Sequence, residues 1–175
     1  MVASDYNVDG GSDDRLNNGG KTRIGEVCHA ASGQNGKTVN KVSVYMNKAQ
    51  SPTGTAYIRI YDSANNIVLD IGNIDVSTLT TTKTLYVFGP VANPRTIATD
   101  DRVVIEYAGG DASNYVTVYA LVNGYDASNS EFTSWNGSVW TEITYDWASI
   151  WTDEAVPVTF YQHSGPLRIY RRNKR

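Results

Sequence analysis

The chain has a single cysteine, Cys28, so no disulfide can form within it and its stability must come from a packed core. Histidine occurs only twice, as His29 and His163. A Ser-His-Asp arrangement needs a histidine held by a carboxylate and touching a nucleophile. Neither histidine lies in such a motif, and no G-x-S-x-G or H-E-x-x-H is present. Long apolar runs are missing too, and no window reaches the length of a membrane-spanning helix. The first residues, Met1 to Asp5, lack the basic and apolar regions of a secretory signal, so the expectation is a chain made without one. Basic excess is absent: the net charge of −3 argues against a nucleic-acid-binding domain. Nor does any stretch repeat its apolar residues with the helical period over three turns. Only Thr144–Asp153 could hold a short helical turn.

What the chain does hold is β-forming. Its 175 residues fit one domain, and 41% hydrophobic against 19% charged content is enough to fold. Twelve tyrosines stand out, amid abundant Thr, Val, Ser, Asn and Gly. Aromatic and β-branched residues suit a pleated, half-buried surface, and Asn, Gly and Ser suit the turns. Val42, Val44 and Met46 alternate with Ser43 and Tyr45, and Ile58 and Ile60 alternate within Thr55–Tyr61. Val103, Ile105 and Tyr107 share one face, and Tyr115–Leu121 repeats the style. Turn signals separate these runs at Ser51-Pro-Thr-Gly54, Asp62–Asn66, Gly89-Pro90, Gly109–Asn114, Asn123-Gly124, Trp135–Ser138 and His163–Pro166. The spacing predicts an all-β fold, an antiparallel β-sandwich of jelly-roll-like type, with about nine to eleven strands.

Three parts are expected: a polar N-terminal arm (1–19), a sandwich (20–152), and C-terminal strands with a basic tail (153–175). Asp5, Asp9, Asp13 and Asp14 make the start acidic, while Arg168, Arg171, Arg172, Lys174 and Arg175 make the end basic. These ends can pair with each other or with neighbouring subunits, or remain as solvated tails. Three loops share an Asp-Ser/Ala-Asn flavour, beginning at Asp62, Asp111 and Asp126. They read as hairpin chemistry, in which short polar side chains bond their own backbone, with a shared ligand rim as the alternative.

The runs Lys41–Met46, Ser51–Tyr61, Gly72–Leu79 and Asp101–Tyr107, taken together, resemble β-sandwich modules of jelly-roll type. Such modules recur in secreted bacterial and archaeal surface proteins, often described as carbohydrate-binding-like, and in viral structural proteins. The resemblance covers roughly residues 20–150 and rests on strand-and-turn patterns. It implies a fold first, and a role in binding or assembly second.

Three sets of residues are candidates for function. Asp5-x-Asn7-x-Asp9-Gly10 matches the opening of a calcium loop, with Asp13 at its ninth position. The twelfth position is Leu16 rather than a bidentate Glu, so only a looser Ca²⁺ site on Asp5, Asn7 and Asp9 is considered, beside an ordinary polar arm. Trp135, Trp140, Trp147 and Trp151, all four tryptophans, fall within 17 residues, with Tyr125, Phe132 and Tyr145 near them. Core, protein interface and glycan platform are the three readings of this cluster. The basic tail is the third set, as a connector between copies. Glu26, Glu106, Glu131, Glu142 and Glu154 read as solvated strand residues rather than catalytic pairs, and Cys28 as a buried inert thiol.

The function expected is therefore non-enzymatic: a structural subunit of a large assembly, such as a capsid-decoration or tail-associated protein of a virion, or an extracellular filament. The alternative is a carbohydrate-binding or adhesion module. The expected partners are other copies of the chain or other structural subunits, and glycans on the alternative reading, with neither nucleic acid nor membrane insertion. No cofactor is required on either reading.

Overall fold

The computed structural model describes residues 12–122, 126 and 128–154. The fold is all-β. Its strands are β1 (Ser12–Leu16), β2 (Arg23–Cys28), β3 (Thr38–Val39), β4 (Lys41–Ala49), β5 (Thr55–Tyr61), β6 (Ile67–Asp75), β7 (Thr84–Phe88), β8 (Arg95–Thr96), β9 (Asp101–Glu106), β10 (Tyr115–Val122), β11 (Ser130–Trp135), β12 (Trp140–Ile143), β13 (Tyr145–Trp147) and β14 (Ser149–Thr152). One sheet has the order β12-β11-β2-β9-β5-β6, and every ladder in it is antiparallel. The other is built on β1-β10-β4-β14, with β13 also pairing β10 and β7 pairing β4. A two-stranded ladder, β3-β8, stands apart. No helix among the described residues is long and apolar enough to cross a membrane.

The core lies between the two sheets, because alternation gives each strand one apolar face. From the first sheet come Ile24, Cys28, Ile58, Ile60, Val103, Ile105 and Phe132; from the second come Leu16, Val42, Val44, Met46, Val116, Val118, Trp147 and Trp151, all buried. Cys28 is fully buried, and burial, aided by the Glu26 carboxylate, pushes its thiol well above the usual range. That environment suits an inert thiol. At Gly25 the chain has no room for a side chain: a Cβ there would sit 2.0 Å from the Val103 carbonyl oxygen on β9.

Two of the Asp-led loops show the expected chemistry. Asp62 accepts the Asn66 N–H at 2.8 Å, and Asp111 accepts the N–H groups of Ser113 and Asn114 at 2.7 and 2.8 Å. These bonds hold both carboxyls below the usual range; for Asp62 the Asn66 backbone contributes most, and for Asp111 the Asn114 side chain.

The structure differs from the sequence reading in three places. Fourteen strands are described rather than nine to eleven. The excess comes from two-residue strands, from β1, and from the split between β13 and β14. Residues 12–16, assigned by sequence to the polar arm, form β1 on the edge of β10, and Leu16 is fully buried. Thr144–Asp153 holds no helical turn. The ladders pair Ala120 with Trp147 and Val44 with Ser149, and β10 and β4 are themselves antiparallel, so the chain reverses at Ala148. Ala148 sits in the fork between the two strands: its N–H donates to the Tyr119 carbonyl at 3.0 Å, and its carbonyl accepts the Tyr45 N–H at 3.4 Å. Backbone pairing on both sides outweighs any local helical preference.

Candidate functional site

Strand alternation puts Arg23, Arg59, Arg102, Glu106, Glu131 and Glu142 on the outer face of the first sheet, together with Tyr57, Tyr61, Trp135 and Trp140. Trp135 and Trp140 are directly opposed across β11 and β12, with ring centroids 5.2 Å apart. The Arg23 guanidinium lies 4.3 Å from the Tyr61 ring centroid and 5.5 Å from that of Trp135. Arg102 lies 5.0 Å from the Trp140 ring. Both tryptophans are half-buried, and cations occupy part of their ring surfaces.

Glu106 organises the β5 side of this face. Its Oε2 accepts from Arg59 Nη1 at 2.6 Å and from the Tyr61 hydroxyl at 2.7 Å, and Oε1 accepts from Arg23 Nε at 3.3 Å. Burial alone would raise the Glu106 carboxyl, but Tyr61, Arg59 and Arg23 together outweigh it and hold the group below its usual range. Burial and the neighbouring Glu106 push the Tyr61 hydroxyl up to about 12.

At the β12 end of the same face, three groups converge that the sequence did not bring together. His29 follows the last residue of β2, and its Nε2 lies 3.8 Å from Glu131 Oε2 and 3.7 Å from Glu142 Oε2. Its other ring nitrogen, Nδ1, is 2.9 Å from Asp100 Oδ1. Glu142 Oε1 also accepts from Arg102 Nη2 at 2.7 Å. Both glutamates read as solvated strand residues in the sequence, and His29 as a histidine outside any catalytic motif. The Trp135–Ser138 turn signal carries part of the pattern, since closing that hairpin puts Glu131 and Glu142 on one face. The approach of His29 depends on β2 pairing with β11 and has no local signature.

The outer face of the second sheet carries a different surface. A shallow groove of about 530 Å³ is lined by residues including Asp13, Asn47, Gln50, Tyr115, Thr117 and Tyr119. The Tyr119 hydroxyl donates to Asn47 Oδ1 at 2.7 Å. Arg15 covers the Tyr115 ring at 4.6 Å, and Lys83 covers that of Tyr119 at 4.7 Å.

The tryptophan cluster read from the sequence is thus divided. Trp147 and Trp151 are fully buried in the core, while Trp135 and Trp140 lie on an outer face. Tyr125, the candidate calcium ligands Asp5, Asn7 and Asp9, the tail residues Arg168, Arg171, Arg172, Lys174 and Arg175, and His163 lie outside the described residues.

Fold and surface define an all-β protein with two antiparallel sheets packed as a sandwich. Comparison with protein-family models, curated proteins and solved structures finds no match to this chain.

Proposed function

We propose that the chain is a non-catalytic building block of a larger assembly, joined to further copies at its free sheet edges. One observation carries this reading. Strand β7 pairs only with β4 among the described residues, and it carries no charge along Thr84–Phe88. It exposes Val87 by 55% and Leu85 by 37% on one face. At the edge of the other sheet, Ile143 on β12 and Val139 beside it are exposed as well. Free edges are normally blunted with charges, prolines or bulges, because an unpaired strand invites another. Apolar residues on two such edges favour strand addition or edge packing between copies. In this reading the sandwich is of jelly-roll type, and the acidic arm and basic tail act as connectors. A virion surface or an extracellular filament is the setting that fits such a block. Negative-stain microscopy and light scattering over a concentration series test it: regular multimers are expected, and a chain that stays monomeric throughout rules it out.

Glycan binding is the second reading, and the groove lined by Tyr115 and Tyr119 favours it. Tyrosine rings flanked by the amide of Asn47, the carboxylate of Asp13 and the hydroxyl of Thr117 offer the stacking and hydrogen bonding that a sugar needs. It ranks second because Arg15 and Lys83 already cover the ring faces. A glycan array with no hit removes this reading, as does a hit that Tyr119→Ala leaves intact.

A further inference from the structure

We propose that His29, Glu131 and Glu142 form a binding site for a divalent transition-metal ion of the Zn²⁺ type, oriented by Asp100. Three side chains from the end of β2, from β11 and from β12 each point one ligand atom at a common spot, all within 4.8 Å of one another. The donor set is chemically apt, since imidazole nitrogen and carboxylate oxygen are ordinary Zn²⁺ ligands.

The distances argue for an ion rather than direct hydrogen bonds. A tetrahedral Zn²⁺ with bonds of about 2.1 Å sets its ligands ~3.4 Å apart. The two histidine–glutamate separations, 3.7 and 3.8 Å, are nearly equal, lie a few tenths of an ångström above that value, and exceed hydrogen-bond length. The ligand atoms of all three lie within 4.8 Å of one another, so the two half-buried carboxylates move inward when the ion binds.

Asp100 supplies the orientation. It lies on the imidazole edge away from the glutamates, 2.9 Å from Nδ1. When Nδ1 carries the ring proton and donates it to Asp100, Nε2 presents a lone pair toward the two carboxylates. Three acceptors then face one another with no proton between them, an arrangement that a cation resolves. A carboxylate on the far nitrogen of a ligating histidine is the usual outer partner at zinc sites, fixing both tautomer and ring direction.

Two features of the surroundings are separate from this geometry. Among the described residues, the Glu131 carboxylate accepts no hydrogen bond, and it faces His29 Nε2 across a gap of 3.8 Å. Thr133, which pairs with Glu142 across β11 and β12, is fully buried, and its hydroxyl lacks a partner among the described residues. A fully buried hydroxyl without a partner calls for an unseen one, for which a water is the simplest choice. Three protein ligands leave a fourth position for a water. The ion would tie the β12 edge strand to β2 across β11.

Isothermal titration of Zn²⁺ into the untagged, chelator-treated full chain tests the site. One ion per chain is expected. His29→Ala and Glu131→Gln should each abolish measurable binding, and Asp100→Asn should weaken it about 10- to 100-fold. His163→Ala should leave it unchanged. Co²⁺ added to the wild type should give the visible spectrum of a four-coordinate nitrogen–oxygen site, and this should be absent in His29→Ala. Both histidine variants are checked by thermal melting, and Glu131→Gln serves independently should His29→Ala fold poorly. Absence of Zn²⁺ binding by the wild type, or binding retained in both His29→Ala and Glu131→Gln, overturns the proposal.

Discussion

The Glu26 carboxylate, fully buried on β2, accepts the backbone N–H of Trp147 at 3.0 Å. One sheet thereby holds the turn of chain that enters the fork of the other. The bond is local to the reversal at Ala148, where a strand has left its usual partners. Replacing Glu26 with Ala should orphan that N–H and leave a cavity, at a cost of about 2–4 kcal/mol. Glu26→Gln keeps an acceptor and should cost less than half as much. Urea unfolding of the two variants, read by tryptophan fluorescence, checks the order.

Gly25 leaves no room for a side chain between β2 and β9. An alanine Cβ would meet backbone atoms, the Val103 carbonyl oxygen at 2.0 Å and the Val104 Cα at 2.6 Å, and backbone cannot swing aside as a long side chain can. Gly25→Ala is expected to destabilise by at least about 3 kcal/mol, the upper part of the range for overpacking. A thermal melt that matches wild type would contradict the register of this ladder.

The Glu106 cluster makes stability depend on pH at both ends. Its carboxyl lies below the usual 4.5 in the folded state. Its contribution is therefore complete above that value and is lost as pH falls through the lower folded value. Tyr61 behaves in the opposite sense. Its folded value of about 12 against 10.0 means that stability is complete below pH 10 and is lost as pH rises toward 12. Glu106→Gln should flatten the acid limb and cost about 1–3 kcal/mol near neutrality, where Arg23 loses its anion and Arg59 keeps only Asp70. Tyr61→Phe should flatten the alkaline limb. Denaturant midpoints measured across pH for wild type and both variants provide the check.

The four tryptophans should separate into two pairs. Trp147→Ala removes a fully buried ring and is expected to cost about 3–5 kcal/mol. Trp135→Ala removes a half-buried ring from an outer face and should cost about 1 kcal/mol, the part held by its contacts with Trp140 and Arg23. Acrylamide quenching of single-tryptophan variants should reach Trp135 and Trp140 but leave Trp147 and Trp151 protected.

These pairs also show how far the sequence could be read. Val42, Val44 and Met46, like Ile58 and Ile60, announce their strands by alternation, and in both runs the apolar set is the buried one. Strand β1 offers a single apolar residue, Leu16, at the end of Ser-Asp-Asp-Arg. Its place is set by backbone bonds to β10, which no local pattern encodes. Trp147 and Trp151 stand four apart, a helical spacing, yet both reach the core because the chain doubles back at Ala148. The convergence of His29 with Glu131 and Glu142 needs the register of three strands and the reach of one side chain beyond β2. Alternation supplies faces, whereas long-range pairing decides which faces meet.

Edge-to-edge association is the claim on which the functional reading stands. Val87 and Ile143 are exposed, so lysine at either position should change stability by no more than about 0.5 kcal/mol. Sedimentation velocity on the wild type and on Val87→Lys/Ile143→Lys, at matched concentrations, tests the claim most directly. The expected result is concentration-dependent multimers for the wild type, and a folded monomer with an unchanged melting temperature for the double variant. A wild type that sediments as a monomer at every concentration, or multimers that persist in the double variant, would contradict it.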